Sequence, residues 1–183
     1  QLNYLPGQIK IHQHLTTKEG LVNDRIEIIE QDKKGYLWIG TDDGLSRWDG
    51  NRFLTYQKHN GLSSSQIRDI AVDSNNVIYV ATSGGGLNII RNDEIDIISE
   101  DNGLLTNWLL CVSVLSNGDV LIGGEKGSIS LLSNGKLSKW IGPEKLNNKD
   151  VYEIFESKNG TIYIGTFQGG FFTYNNGQLK NYA

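Results

Sequence analysis

Short apolar runs punctuated by turn residues organise this chain, and four of them align: Tyr36-Leu37-Trp38-Ile39-Gly40-Thr41, Val77-Ile78-Tyr79-Val80-Ala81-Thr82, Asp119-Val120-Leu121-Ile122-Gly123-Gly124 and Thr161-Ile162-Tyr163-Ile164-Gly165-Thr166. Trp38 to Tyr79 is 41 positions, and the next steps, to Leu121 and to Tyr163, are 42 each. Gly20-Leu21, Gly61-Leu62 and Gly103-Leu104 keep the same register ahead of the first three units, with Lys145-Leu146 in their place in the fourth. Within the first run Leu37 and Ile39 face one way and Trp38 the other, so both faces are apolar. A strand of that kind is buried on both sides, as an inner strand packed between two sheets is; a half-exposed antiparallel sheet would alternate apolar with polar. The small residue at Gly40, Ala81, Gly123 and Gly165 lies on the aromatic face, where it lets an adjacent sheet approach. Trp38, Tyr79 and Tyr163 are accordingly expected in the core.

Each unit reads as four short strands. In the first they cover residues 25–31, 36–41, 44–48 and 52–57, joined by a turn at Asp32-Lys33-Lys34-Gly35, a loop at Asp42-Asp43 and a tight turn at Asp49-Gly50. No helix fits between these turns. The last turn recurs as Asn92-Asp93, Asn134-Gly135 and Asn176-Gly177, pairs that tolerate the positive φ of a two-residue type I′ hairpin. Units of about 40 to 45 residues built from four antiparallel strands are the mark of propeller blades. The expected fold is therefore all-β, a β-propeller with blades at residues 20–59, 61–101, 103–142 and 145–183, whose first strands open near Arg25, Gln66, Trp108 and Asp150. One extra N-terminal outer strand is expected within residues 8–18, where Ile9-Lys10-Ile11-His12-Gln13-His14-Leu15 alternates ahead of Gly20-Leu21. A chain start has such an orphan strand when it completes the last blade of a ring. Four blades close alone, two chains combine into a larger ring, or these are the opening blades of a longer propeller. An open arc is the expectation, because it has an orphan strand and a complete fourth unit, and its two apolar end faces would associate with a second copy or with further blades.

Composition narrows the function classes. With 183 residues, 38% hydrophobic and 21% charged, the chain is globular and long enough for a core, and no apolar run approaches the length of a membrane span. Seventeen basic against 21 acidic residues give a net charge of -4, without the basic excess that nucleic-acid binding requires. Gly 22 with Pro only 2 fits many tight turns between strands. The single cysteine, Cys111, forms neither an internal disulfide nor a Cys-based zinc site. The chain begins at Gln1 and contains no Met, so it is expected to be a processed or excised product whose signal peptide, if any, has been lost.

The run Leu37-Trp38-Ile39-Gly40-Thr41-Asp42-Asp43-Gly44-Leu45 resembles the two-component regulator propeller repeat, whose core is W-I-G-T followed shortly by G-L. Tyr79-Val80-Ala81-Thr82 with Gly86-Leu87, and Tyr163-Ile164-Gly165-Thr166 with Gly169, are similar to it, while the third unit departs at Leu121 and Gly124. Leu15-Thr16-Thr17-Lys18-Glu19-Gly20-Leu21 also resembles the opening of such sensor regions. The resemblance implies about the first half of a seven-bladed propeller in the periplasmic part of a two-component sensor histidine kinase, with the membrane span and kinase outside this chain. It implies an extracytoplasmic ligand-sensing module whose inputs are oligosaccharides, with no family motif fixing the ligand residues.

Catalysis finds little support, and no cofactor or metal is expected. His12 and His14 stand two apart, but the third histidine, His59, lies in another unit. Asp42-Asp43 has no carboxylate counterpart at Ser83-Gly84-Gly85, Glu125-Lys126 or Phe167-Gln168, and reads as a solvated loop. Asp73-Ser74-Asn75-Asn76 aligns with the turn at Asp32 and lacks the distal Glu of a calcium loop. Gly84-Gly85-Gly86 is not followed by a helix, so it reads as a flexible loop rather than a phosphate cradle. Propeller geometry places a site on the rim where the loops after the second strands meet the blade connections. That rim carries Asn23, Asp43, Gln66, Trp108, Glu125, Asn148, Phe167 and Gln168, aromatic faces beside amides and carboxylates that suit sugar hydroxyls. Partners follow: a small-molecule or oligosaccharide ligand and further blades or a second copy, without nucleic acid or direct membrane insertion. The rivals are a streptogramin-type propeller lyase, disfavoured by the scattered histidines, and a structural interaction scaffold.

Overall fold

A computed structural model describes residues 13–182. Its sixteen strands form four antiparallel sheets of four, each in chain order. Blade 1 holds β1 (Ile26–Gln31), β2 (Leu37–Thr41), β3 (Gly44–Trp48) and β4 (Phe53–Tyr56). Blade 2 holds β5 (Ile67–Val72), β6 (Ile78–Thr82), β7 (Gly86–Arg91) and β8 (Glu94–Ile98). Blade 3 holds β9 (Leu109–Val114), β10 (Val120–Gly124), β11 (Ile129–Ser133) and β12 (Lys136–Ile141). Blade 4 holds β13 (Val151–Glu156), β14 (Ile162–Thr166), β15 (Phe171–Asn175) and β16 (Gln178–Tyr182). The longest helical segment among the described residues is the four-residue 3-10 turn Pro143–Leu146, and no described helix is long and apolar enough to cross a membrane.

Turn chemistry sets the strand ends. The Asp32 carboxylate accepts the Lys34 and Tyr36 backbone N–H groups at 2.8 and 3.0 Å and the Trp38 indole N–H at 2.9 Å, tying the first turn to the core aromatic. Asp73 accepts the N–H groups of Asn75 and Val77 in the same way, so the segment that resembles a calcium loop is a turn. The hydroxyls of Thr41, Thr82 and Thr166 donate to the carbonyls of Gly44, Gly86 and Gly170 at 2.9, 2.7 and 3.0 Å, closing the loop after each second strand. Blade 3, with Gly124 in that place, closes the loop by the Gly124 N–H to Ser128 carbonyl bond at 3.0 Å. Asn92-Asp93, Asn134-Gly135 and Asn176-Gly177 all have positive φ, as two-residue type I′ turns require. Blade 1 differs: Trp48 pairs with Phe53, leaving a four-residue loop in which Asp49 accepts the N–H groups of Asn51 and Arg52.

The blades pack in series. First strands β1, β5, β9 and β13 lie side by side in that order and line the axis. Between successive blades sit three apolar clusters: Trp38 against Ile67 and Ile70, Tyr79 and Ala81 against Leu109 and Val112, and Cys111 and Leu121 against Val151 and Ile154. Leu21, Leu62, Leu104 and Leu146 are buried, which explains the register kept by the leucine ahead of each unit. The small residue on the aromatic face is sterically required where a blade follows. A Cβ on Gly40 would lie 2.5 Å from Ile67 Cγ2, and one on Gly123 would lie 2.8 Å from Val151 Cγ1.

Two expectations need correction or restriction. Tyr163, expected in the core, is 38% exposed, because no sheet covers the far face of blade 4 among the described residues. Of the expected N-terminal strand, Ile9 to His12 lie outside the described residues; Gln13 to Thr16 form no strand, and Thr17–Glu19 is a 3-10 turn closed by a capping box between Thr16 and Glu19.

Candidate functional site

The inner strands carry a repeated irregularity that sequence reasoning missed. In every blade the register between first and second strand shifts by one residue near its start, between Ile26 and Ile28, Ile67 and Asp69, Leu109 and Cys111, and Val151 and Glu153. The bulged residues are Glu27, Arg68, Leu110 and Tyr152, one per blade. A bulge re-aims its side chain away from the regular pleat. All four line a single groove of about 490 Å³ at one end of the inner strands, together with Gln66, Ser83, Trp108, Glu125 and Asp150.

Recurrent backbone bonds hold the rim. Ser83 N–H donates to the Gln66 carbonyl at 2.9 Å, Glu125 N–H to that of Trp108 at 3.1 Å and Phe167 N–H to that of Asp150 at 2.9 Å, each tying the loop after a second strand to the entrance of the first strand of its blade. In blade 1 the Arg25–Asp42 ion pair at 3.0 Å occupies that place. Trp108 is 51% exposed, and its ring lies beside Gly84. Tyr152 stacks on Phe167 with ring centroids 5.6 Å apart. Arg68 lies 4.0 Å from Glu27, and its Nε has no hydrogen-bond partner among the described residues. With Glu27, Glu125 and Asp150 against Arg68, the groove is acidic on balance, which opposes anionic ligands and leaves aromatic faces and directional polar groups for neutral, hydroxyl-rich ones.

Of the sequence-predicted residues, Gln66, Trp108 and Glu125 come together in this groove, and Phe167 adjoins it through Tyr152. The Asn23 side-chain amide donates to the Asp43 carboxylate at 2.6 Å, and Asn23 Oδ1 accepts the Arg25 backbone N–H, so both are engaged in loop structure. Ser64 and Thr106 take the same role ahead of Gln66 and Trp108, which identifies Asn23 as the turn-former of its blade. Asn148 and Gln168, both with positive φ, sit in turns and do not line the groove. Arg68, Tyr152, Asp150 and Glu27 were missed, although aligning the four first strands by their repeat would have put Glu27, Arg68, Leu110 and Tyr152 in one column. The triplet Gly84-Gly85-Gly86 is packed rather than a flexible loop: a Cβ on Gly85 would lie 2.6 Å from Ser63 Oγ.

Further along the inner strands, Asp69 accepts the N–H groups of Ile70 and Val112 at 2.8 Å each, and burial pushes its carboxyl up to about 6. The buried Cys111 thiol donates to the Val151 carbonyl, and burial raises its pKa, which makes it a packing residue rather than a nucleophile. No group of three His, Cys, Asp or Glu among the described residues is arranged to hold a metal ion. A second cleft of about 530 Å³, between Trp140 and Leu179 at the outer edge of blades 3 and 4, gathers none of the expected site residues.

Comparison with known proteins agrees with this architecture. Residues 20–43, 61–84 and 145–168 match the family model described as two component regulator propeller, and the unit left out is the third, whose motif departs at Leu121 and Gly124. The chain thus carries repeats of the two component regulator propeller family. A solved structure from B. thetaiotaomicron, described as the extracellular domain of a hybrid two component system, superposes with a TM-score of 0.82 at 25% identity, over 93% of this chain and 26% of that one. Over 55 residues the chain is 40% identical to Histidine kinase P4 of Formosa agariphila, which is 30% of this chain and 4% of that protein. The chain therefore spans about a quarter or less of these relatives. Virginiamycin B lyase from Staphylococcus aureus superposes with a TM-score of 0.70 at 12% identity, over 86% of this chain and 55% of that one, a likeness of fold alone.

Proposed function

We propose that this propeller region is the ligand-sensing module of an extracytoplasmic, periplasmic two-component sensor, and that it takes a neutral oligosaccharide in the groove ringed by Glu27, Arg68, Leu110 and Tyr152. The observation that carries this is the convergence of four bulged residues, one from each blade, with the exposed Trp108 in one groove. Repeats of the two component regulator propeller family and the likeness to the extracellular domain of a hybrid two component system support the sensor assignment. The module itself performs no chemistry in this account. Its output is differential binding: a ligand that prefers one arrangement of neighbouring domains shifts the population of signalling states.

The test is a titration of the chain with a panel of neutral and acidic oligosaccharides, followed by calorimetry and by tryptophan fluorescence. Binding of a neutral glycan that Trp108→Ala weakens at least about tenfold, while the far-UV spectrum is unchanged, is the expected result. Tight binding that ignores Trp108→Ala and Tyr152→Ala, or a panel on which nothing binds, would overturn the groove assignment.

A further inference from the structure

The junction between blades 3 and 4 departs from the other two, and a cleft opens where it does. In blades 1, 2 and 4 the outer hairpin pairs residue for residue, but in blade 3 Ser130 pairs with Lys139 and Ile129 with Ile141, which makes Trp140 an inserted, bulged residue. By hairpin register Ile141 takes the place of Tyr56 and Ile98 in blades 1 and 2, and it is buried. The bulge re-aims its own side chain, so the Trp140 indole is half-buried, edge-on to Tyr174 with ring centroids 4.7 Å apart. The connection that follows lacks the capping box that closes residues 16–19, 57–60 and 99–102; it starts on Gly142, where a Cβ would meet Lys139 Nζ and Glu144 Oε2, and on Pro143. Across the junction, Phe172 stands in the column of Ser46, Asn88 and Ser130, whose side chains accept the N–H groups of Val22, Ser63 and Leu105 and so hold the connection entering each of those blades. Phe172 offers no acceptor and is buried. What results is a cleft of about 530 Å³, with buried Ile141 and Phe172 beneath half-buried Trp140, Tyr174 and Leu179. Both of its walls belong to described blades: Tyr174 and Leu179 are on the face of blade 4 turned to blade 3, opposite the face of Tyr163, Thr173 and Lys180 on which a further blade would stack.

We propose that this cleft binds a small aromatic carboxylate, its ring among Trp140, Tyr174 and Leu179 and its carboxylate at Lys145. The volume falls within the roughly 300 to 1,000 Å³ of small-molecule sites, which combine an apolar lining with a few polar groups that fix orientation. Aromatic walls set edge to face favour a flat ring between them and the apolar floor. The rim supplies the charge preference. Lys139 pairs with Glu144 at 3.7 Å, while Lys145 is exposed and has no ion-pair partner among the described residues, so an entering carboxylate meets an uncommitted cation. The site shares no lining residue with the groove at Trp108. That groove is acidic on balance and this cleft basic, so the two sort ligands by charge.

The full chain is to be titrated by calorimetry with indole-3-acetate and with its neutral and cationic counterparts, tryptophol and tryptamine. Indole-3-acetate is expected to bind, and the other two at least about tenfold more weakly. Lys145→Glu, at an exposed site, and Trp140→Leu are each expected to weaken indole-3-acetate at least about tenfold, and Lys145→Glu to remove its advantage over tryptophol. Circular dichroism checks that both variants keep the fold. Lys180→Glu, on the same outer strand as Leu179 but on its opposite face, is expected to leave the affinity unchanged, as is Trp108→Ala in the groove. A chain that does not bind indole-3-acetate overturns the inference, as does one that binds tryptamine equally well. Equal weakening by Lys180→Glu also overturns it, because attraction to overall charge would then suffice. So does affinity lost in Trp108→Ala and kept in Trp140→Leu, which puts the ring in the groove.

Discussion

Blade 1 and blade 4 carry the same pattern on the face turned toward the next blade, yet one face is interior and the other is surface. Trp38 is 2% exposed, while Tyr163 in the same column is 38% exposed. Gly40 is occluded by Ile67, whereas Gly165 is open; Asp69 is held by Val112 of the next blade, while Glu153, in the same register, is exposed. Burial in this architecture is a property of a junction between two blades and not of a blade, as expected for repeat arrays whose stability combines unit and nearest-neighbour contributions. The largest test of that statement is the pair Trp38→Ala and Tyr163→Ala. The first removes an aromatic packed against Ile67 and Ile70 and bonded to Asp32, and is expected to cost about 3 to 5 kcal/mol. The second, in the dilute chain, is expected to cost less than about 1 kcal/mol. Denaturant midpoints of the two variants decide it, and similar shifts would mean that blade 4 is covered in solution.

A smaller effect separates the covered acid from the open one. Desolvation raises the Asp69 carboxyl to about 6, above its ordinary 3.8, so the folded state holds a proton that the unfolded chain releases. The stability this contributes is complete below about pH 4 and is lost as pH rises through about 6, a change on the order of 1 to 3 kcal/mol. Urea midpoints measured from pH 4 to 7 are expected to show the wild-type chain losing stability relative to Asp69→Asn across that window. Parallel profiles would place Asp69 in water.

The junctions were legible from sequence because their signals are local and repeated. A strand apolar on both faces, a small residue two positions after the aromatic and a leucine at fixed register describe them, and strand starts followed to within one residue. What was not legible depends on neighbours or on pairing. Tyr163 carries the same apolar signal as Tyr79, and it is surface because among the described residues no sheet lies beside it. The bulges at Glu27, Arg68, Leu110 and Tyr152 arise from a register shift between strands, which alternation along one strand does not encode, so a rim read from the loops and blade connections includes Asn23 and Asp43 and leaves out Arg68 and Tyr152.

Steric filling at the small residue gives a comparable contrast with the sign in packing alone. Gly40→Leu is expected to cost about 1 to 3 kcal/mol, because the new side chain has to displace Ile67 or Ile28, both within 3 Å of its Cβ. Gly165→Leu, with ordinary contact distances, is expected to leave the thermal midpoint of the dilute chain nearly unchanged. Equal losses would show that both glycines serve the strand itself and not the junction.

The smallest effect belongs to the rim outside the groove. Asp43 is exposed, and among the described residues its side chain bonds only the Asn23 amide, on a loop already fixed by the Thr41 hydroxyl to Gly44 carbonyl bond. Asp43→Ala is expected to change stability by less than about 0.5 kcal/mol, as a solvated loop substitution does. It is also expected to leave glycan affinity unchanged, since Asp42, which pairs with Arg25, and not Asp43 holds the place in blade 1 that Ser83, Glu125 and Phe167 hold in the other three. Calorimetry on Asp43→Ala beside Trp108→Ala measures that distinction. A loss of affinity in Asp43→Ala matching that of Trp108→Ala would move the binding surface off the bulge column and onto the outer rim around Asn23 and Asp43.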